Sequence, residues 1–275
     1  MGDTLFADTE LARRLETLCA AEMRVFAETS AVLDPQAGAT WCSIAGGLAA
    51  FIGPGSPVNQ AFALGFDGAV SAEDVTELDG FYRSRSTRAV VGVCPLAHPS
   101  LVKELGRAGF RPDGFENVLV GGVEGLDLAA PATDVEVREV VTEEDRELWA
   151  LVAATGFSAP LPPLEQQLRL AHVVVSRPGA RLFLASVGGK VAGTGELSTR
   201  EGVAWLSADT TLPQFRRRGV QRAMQVRRIA IGAEEGCLLV VSEAMPGSAS
   251  QRNMERLGLR VAYTRVDFVG RAHRR

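Results

Sequence analysis

A strand ending in Asp209-Thr210-Thr211-Leu212-Pro213 runs into the turn Gln214-Phe215-Arg216-Arg217-Arg218-Gly219, after which Val220-Gln221-Arg222-Ala223-Met224 reads as the start of a helix. Unpaired backbone N–H groups and the positive end of that helix converge on one point, and such a point attracts an anion. Glycine at the bend lets the backbone approach a phosphate closely. Arg216, Arg217, Arg218 and Arg222 add charge-assisted hydrogen bonds for a second phosphate, so a pyrophosphate with a separate ribose phosphate fits the combination. A plain solvated basic helix start remains open on composition alone. A nucleic-acid patch is disfavoured, because no aromatic side chains interleave with the arginines.

The elements around this turn follow from periodicity and punctuation. Val135 to Val140 reads as a strand, and Thr142 stands at an N-cap position with Asp145 three residues on, ahead of the apolar stripe Leu148, Leu151, Val152. Residues 164–175 read as a second helix, ended by Arg177-Pro178-Gly179. Strands 181–187 and 190–198 form a hairpin and 203–212 a third strand. The helix after Gly219 carries Val220, Ala223, Met224, Ala230 and Ile231 on one face and ends near Gly236, before the strand Cys237 to Val241. A short helix ending at Gly258 and a strand from Val261 to Val269 complete the order β-α-α-β-β-β-α-β-α-β. Near the start of the chain, residues 8–28 read as a helix with Leu11, Leu15, Leu18 and Phe26 inward.

Two pairs of segments repeat at nearly constant offset. Trp41 to Ala50 matches Phe183 to Ala192, with β-rich runs on either side of Gly46-Gly47 and Gly188-Gly189, each pair suited to the positive φ of a tight hairpin. Leu105 to Phe110 matches Asn253 to Leu259, each a short helix ended by glycine and followed by a strand, Asn117 to Val120 in the first copy. Two copies of one α/β unit are therefore expected. The boundary falls in the Gly-rich, Pro-terminated stretch Gly121 to Pro131, which divides the chain into 1–125 and 133–275.

Composition bounds the possibilities. With 275 residues, 46% hydrophobic and 23% charged, the chain can bury a full core and is neither disordered nor collagen-like. No apolar run is long enough to span a bilayer and the N-terminus is acidic, so the expected compartment is the cytoplasm, with no membrane partner. Cys19, Cys42, Cys94 and Cys237 show no metal-site or disulfide-framework spacing, and reduced cysteines are expected. The net charge of −4 divides into −8 over residues 1–133 and +4 over 134–275. The acidic total argues against broad nucleic-acid binding, while the basic half can hold a compact polyanion. His98, His172 and His273 fit no metal site.

The run Arg216-x-x-Gly219-x-Gln221 after a strand, with this element order and the later Arg256-Leu257-Gly258-Leu259, resembles the GNAT superfamily of acyl-CoA-dependent N-acyltransferases. The departure is Gln221, where the signature has Gly or Ala. The resemblance implies a fold of class α/β with mixed sheets: two tandem GNAT-like domains, each a mostly antiparallel sheet flanked by helices. Residues 133–275 would bind acyl-CoA, and residues 1–125 would be a degenerate copy. It also implies that Asp209, Thr210 and Thr211 hydrogen-bond the pantetheine arm and that Arg216, Arg217, Arg218, Gly219, Val220, Gln221 and Arg222 cradle the pyrophosphate. The implied activity is transfer of the acetyl group of acetyl-CoA, as co-substrate and without a metal, to a primary amine of a small molecule by direct attack in a ternary complex. Another acyl donor, a longer acyl-CoA or an acyl-tRNA, and a non-catalytic acyl-CoA-binding protein remain alternatives, and a homodimer is left open.

Two positions depart from the family's catalytic pattern. The proton-donating tyrosine expected four residues before Gly258 is Met254, and Tyr263 is a poor substitute for it. The usual general-base position is Trp205. Alternation places Ser207 and Asp209 on the face of Trp205, with Glu196 on the neighbouring strand, so Glu196 and Asp209 are the candidate catalytic bases and Glu243 a third. In the first half, the place of the phosphate turn is taken by Ala69 to Leu78, which carries the acids Glu73, Asp74 and Glu77 and no basic residue, so coenzyme phosphates would be repelled. The loop Ile52 to Gln60 is a plain surface connection or a substrate-lining segment.

Overall fold

The computed structural model describes residues 6–129, 134–157 and 165–271. The tail from Ala272 and the end of the boundary stretch, residues 130–131, lie outside the described residues. The fold is mixed α/β, and the described residues form two compact units: Phe6–Asn117 together with 262–271, and Val118–Val261.

In the N-terminal unit, α1 (Thr9–Leu33) is capped by Asp8, whose carboxylate accepts the Leu11 N–H at 2.8 Å. The hairpin β1 (Thr40–Ile44) and β2 (Gly47–Phe51) follows, then β3 (Ala61–Phe62), α2 (Ala72–Arg83), β4 (Val90–Val93), α3 (Ser100–Arg107) and β5 (Arg111–Gly122). Ser71 and Asp74 close a capping box on α2, so the segment expected to lack a phosphate turn is an acid-capped helix start. Leu78, Tyr82, Val91, Leu101 and Leu105 sit at the centre of the core.

The C-terminal unit runs β6 (Val135–Glu139), α4 (Glu143–Phe157), α5 (Glu165–Ser176), β7 (Arg181–Val187), β8 (Lys190–Arg200), β9 (Val203–Thr211), a 3₁₀ turn, α6 (Val220–Glu234), β10 (Leu239–Ala244), α7 (Ala249–Leu257) and β11 (Arg260–Val269), the last leaving the unit after Val261. Thr142 accepts the Asp145 N–H at 3.1 Å, as the spacing predicts. Phe183, Leu197, Leu206, Met224, Ile229 and Val240 form the core.

The two units share a pairing pattern. In the C-terminal unit β6–β7, β7–β8 and β8–β9 are antiparallel and β9–β10 is parallel. In the N-terminal unit β1–β2 and β2–β3 are antiparallel and β3–β4 is parallel. Both hairpin loops hold two residues, but they sit one residue apart relative to the Gly-Gly pair. Val187 pairs with Lys190, which leaves Gly188-Gly189 as the two-residue loop, both at positive φ. Ile44 pairs with Gly47, so the loop in the first copy is Ala45-Gly46. Gly47 is already in β2, where a Cβ would stand 2.3 Å from the Phe62 carbonyl oxygen of β3.

A cut at 125/133 and the compact units part company at β5 and β11. The last residues of β5 belong with β10, and β11 from Ala262 onward pairs with β4, Val266 opposite Val93 and Val269 opposite Val90. The physical reason is that a strand joins whichever sheet edge accepts its ladder, and the short-range pattern of a strand does not name that edge. Among the described residues no helix is long and apolar enough to cross a membrane, and no cluster of His, Cys, Asp and Glu could hold a metal ion.

Candidate functional site

The phosphate-turn sequence is built as a turn with two residues at positive φ. Arg217 has φ +63° and Gly219 φ +81°. Gly219 is the N-cap of α6 and no side chain caps the helix, so the first-turn N–H groups are left for another partner. The turn forms one wall of a cavity of about 740 Å³. Asp209, Thr210 and Thr211 of β9 line it, with Arg216, Arg217, Gly219, Val220, Gln221 and Arg222 of the turn and α6, and Ser250, Arg252, Asn253 and Arg256 of α7. Nine of the ten positions expected to contact coenzyme are thus gathered around one cavity; Arg218 is the exception, its guanidinium held by Asp134 at 2.8 Å.

A β-bulge opens this cavity. The parallel pairing of β9 with β10 runs from Val203 opposite Leu239 to Leu206 opposite Ser242 and stops, while β9 continues to Thr211. Across β9 and β8, Glu196 faces Ser207 and Thr194 faces Thr210, so β9 spends three steps where β8 spends two. Ala208, at φ +52°, absorbs the extra residue. Glu196 and Thr194 share a face of β8, so Ser207 and Thr210 share a face of β9 and Asp209 points to the other. The simple alternation that puts Ser207 and Asp209 together is therefore wrong, because the bulge lies between them.

Arg228 of α6 fills the bulge. Fully buried, it donates from Nη1 to the carbonyl oxygens of Glu196 at 2.6 Å and Ser207 at 3.2 Å, from Nε to Met224 O, and from Nη2 to Asp209 Oδ1. The guanidinium reaches these groups because β8 has glycine beneath it: a Cβ on Gly195 would stand 2.7 Å from Arg228 Cζ. The second oxygen of Asp209, Oδ2, is buried and has no hydrogen-bond partner. Burial pushes the Asp209 carboxyl above the usual carboxylate range, against the opposing pull of Arg228 and a smaller one from Gln225.

The other candidate base is differently placed. Glu196 is buried with Oε1 paired to Arg177 and Oε2 accepting from Ser207 Oγ at 2.9 Å, and it is not among the residues lining the cavity. Glu243 and Trp205 do not line it either, and Met254 is buried in the core of α7. Tyr263 lies in the N-terminal unit and donates to the buried Glu16 at 2.7 Å. Gln221, the departure from the signature, ties α6 to α7 by donating to Ser250 Oγ at 2.8 Å and accepting from Asn253 Nδ2 at 2.7 Å. Sequence reasoning missed the contribution of α7 and of Gly156, whose Cβ would meet Thr210 at 2.5 Å and whose absence lets α4 close against β9.

The arginines around the cavity fall into two groups. Arg218 and Arg222 are engaged by Asp134 and Asp127, and Arg222 holds the Asp127 carboxyl below its usual range. Arg217, Arg252 and Arg256 meet no carboxylate among the described residues, and Arg216 reaches only the Thr211 carbonyl at 3.5 Å.

This architecture, an uncapped helix N-terminus beside a bulged strand that splays from its parallel neighbour, repeated as a pairing pattern in a second unit, is a tandem GNAT-like fold. No protein-family model and no curated protein matches the chain by sequence. Among solved structures, it is similar to a GCN5-related N-acetyltransferase from Kribbella flavida, at 15% identity over 94% of this chain and 95% of that one, with a TM-score of 0.69. A tandem GNAT protein from the clavulanic acid biosynthesis pathway matches at 13% identity over 98% of both chains, TM-score 0.60, and FemX at 11% identity over 89% and 90%, TM-score 0.50. At these identities the likeness is one of fold.

Proposed function

We propose that this protein is an N-acetyltransferase that moves the acetyl group of acetyl-CoA to a primary amine of a small molecule within a ternary complex. The observation that carries this reading is the cavity itself, in which Asp209, an uncapped helix N-terminus and uncompensated arginines line the same space. The N–H groups at the start of α6 and the arginines suit a diphosphate. The edge of β9 beyond Leu206, free of β10, suits the amide-rich arm that carries the thioester.

The amine nitrogen attacks the thioester carbonyl carbon, the carbon–sulfur bond breaks with its electron pair leaving on sulfur, and the nitrogen loses a proton. Asp209, which lines the cavity, is the residue this reading assigns to take that proton; a carboxyl with its pKa raised by burial is closer to the working pH of a base. Glu196, with both oxygens occupied, is assigned to holding β8, β9 and the segment after α5 together. Residues 1–125 are assigned as a degenerate copy, with Ser71-Ala72-Glu73-Asp74 where the phosphates would need a cationic turn, so calorimetry should find one coenzyme per chain. The cytoplasm remains the proposed compartment.

Thiol release from acetyl-CoA across an amine panel tests the activity. Turnover with some amines is expected, and Asp209→Asn should lower kcat by about 10²-fold with coenzyme affinity retained. Coenzyme binding without turnover for any amine would instead favour a non-catalytic acyl-CoA-binding protein, the reading that buried Met254 supports. Turnover that Asp209→Asn leaves unchanged would remove Asp209 as the base.

A further inference from the structure

The α7 face of the cavity carries more positive charge than a diphosphate on α6 needs. Arg252 and Arg256 are four residues apart on α7, which places them one turn from each other on one face, and both line the cavity. Both are exposed, and no carboxylate among the described residues pairs with either. The nearby acids are committed elsewhere: Glu255 accepts from Gln251 at 2.9 Å, and Asp127 and Asp134 pair with Arg222 and Arg218. Two guanidinium groups left uncompensated across from an anion-binding helix start form a second positive centre, separate from the first and carried by a different element.

The link between α6 and α7 fixes the spacing of these two centres. Gln221 stands in the first turn of α6, and its amide is held by Ser250 and Asn253, which flank Arg252 in sequence. A ligand that reaches both centres must therefore carry two anionic groups joined by a spacer, one a diphosphate for the α6 amides and the other for the arginine pair. We infer that Arg252 and Arg256 bind the phosphate monoester on the ribose of the nucleotide, and that the protein thereby selects free acyl-CoA over donors that lack that group. A phosphate monoester near neutral pH carries more charge than a diester and offers three oxygens, which suits two forked donors better than a carboxylate does. An acyl group borne on the phosphopantetheine of a carrier protein has a phosphodiester and no ribose, and leaves the α7 pair unfilled.

The inference rests on the acyl-CoA reading, and the experiment separates the two. Calorimetry would compare coenzyme A with 3′-dephospho-coenzyme A on the wild-type chain and on the Arg252→Gln/Arg256→Gln variant. The wild type should bind coenzyme A about tenfold or more tightly than the dephospho form, the difference expected of charge-assisted bonds to one phosphate. The variant should bind both at the wild-type affinity for the dephospho form, a result that also shows its diphosphate site is intact. Equal affinities in the wild type, or a preference that survives in the variant, would overturn the assignment of the arginine pair while leaving the acyl-CoA reading in place. Failure of the wild type to bind either nucleotide would overturn both.

Discussion

Replacing Arg228 by methionine isolates the device that holds the bulge open. Methionine keeps much of the side-chain length and removes the donors, so Asp209 Oδ1 loses its partner and the carbonyl oxygens of Glu196 and Ser207 lose theirs. Breaking one partner out of a buried ion pair costs about 3–5 kcal/mol, because the charge left behind is uncompensated, and each orphaned carbonyl adds about 1 kcal/mol or more unless water enters. The expected loss is therefore about 5–7 kcal/mol, a large share of the roughly 5–15 kcal/mol typical of a domain. The loss should also depend on pH. Burial already raises the Asp209 carboxyl in the wild type, and removing Arg228 takes away the strongest opposing pull, so the folded-state value rises further. A carboxyl whose folded-state pKa lies above its unfolded value adds stability below the unfolded value, and that stability is lost as pH rises through the folded one. The penalty of Arg228→Met should consequently be smallest at or below about pH 4 and grow toward neutral pH. Adding Asp209→Asn to the same chain should recover part of the loss near pH 7. Urea unfolding of the three chains at two pH values measures this. A single variant that unfolds within about 1 kcal/mol of the wild type at neutral pH would refute the argument, as would a penalty that grows on acidification.

Two other outcomes follow from the site and from the cores. Gly219→Asp should cost about 1–2 kcal/mol of stability, because an L residue must adopt φ +81°, and should weaken acetyl-CoA binding by a few kcal/mol more, since a negative charge then faces the diphosphate; melting curves with and without saturating acetyl-CoA would show a ligand shift in the wild type only, and an equal shift in both chains would locate the phosphates elsewhere. Burial pushes the Cys94 thiol up to about 12, and the Cys42 and Cys237 thiols are raised by the same cause, so a chromogenic disulfide reagent at pH 8 should reach half-exposed Cys42 first and the others only after denaturation; rapid modification of Cys94 in the folded chain would contradict that.

The sequence made the order of elements and the Arg-rich turn before α6 readable, since both rest on local signals: apolar spacing, Thr142 before Asp145, and glycine after three arginines. The bulge was not readable. Ala208 is an ordinary strand residue in sequence, and the bulge around it is bridged by Arg228 from α6 over Gly195 of β8, neither of which a local pattern connects to it. Buried arginines are hidden for the same reason. Arg228 and Arg265 occupy positions that charge alone would assign to solvent, and only their partners, Asp209 on one and Glu16 on the other, explain why they lie inside. Gln221 read as a departure from a signature and proved to be a tie between two helices.

The path of the chain through its two units has a consequence for synthesis. The residues of β11 that complete the N-terminal unit come after every other element, so as the polypeptide emerges β4 waits with an open edge through roughly the whole of the second unit's production. Glu16 on α1 waits as well, since Tyr263 and Arg265, which bury its charge, are made with β11. The unit whose residues are translated first is thus the last to be completed, whereas Val118–Val261 has its strands in hand earlier. No single cut of the backbone frees either unit intact, and a chain stopped just before Ala262 would leave the N-terminal sheet with a missing strand and a stranded carboxylate.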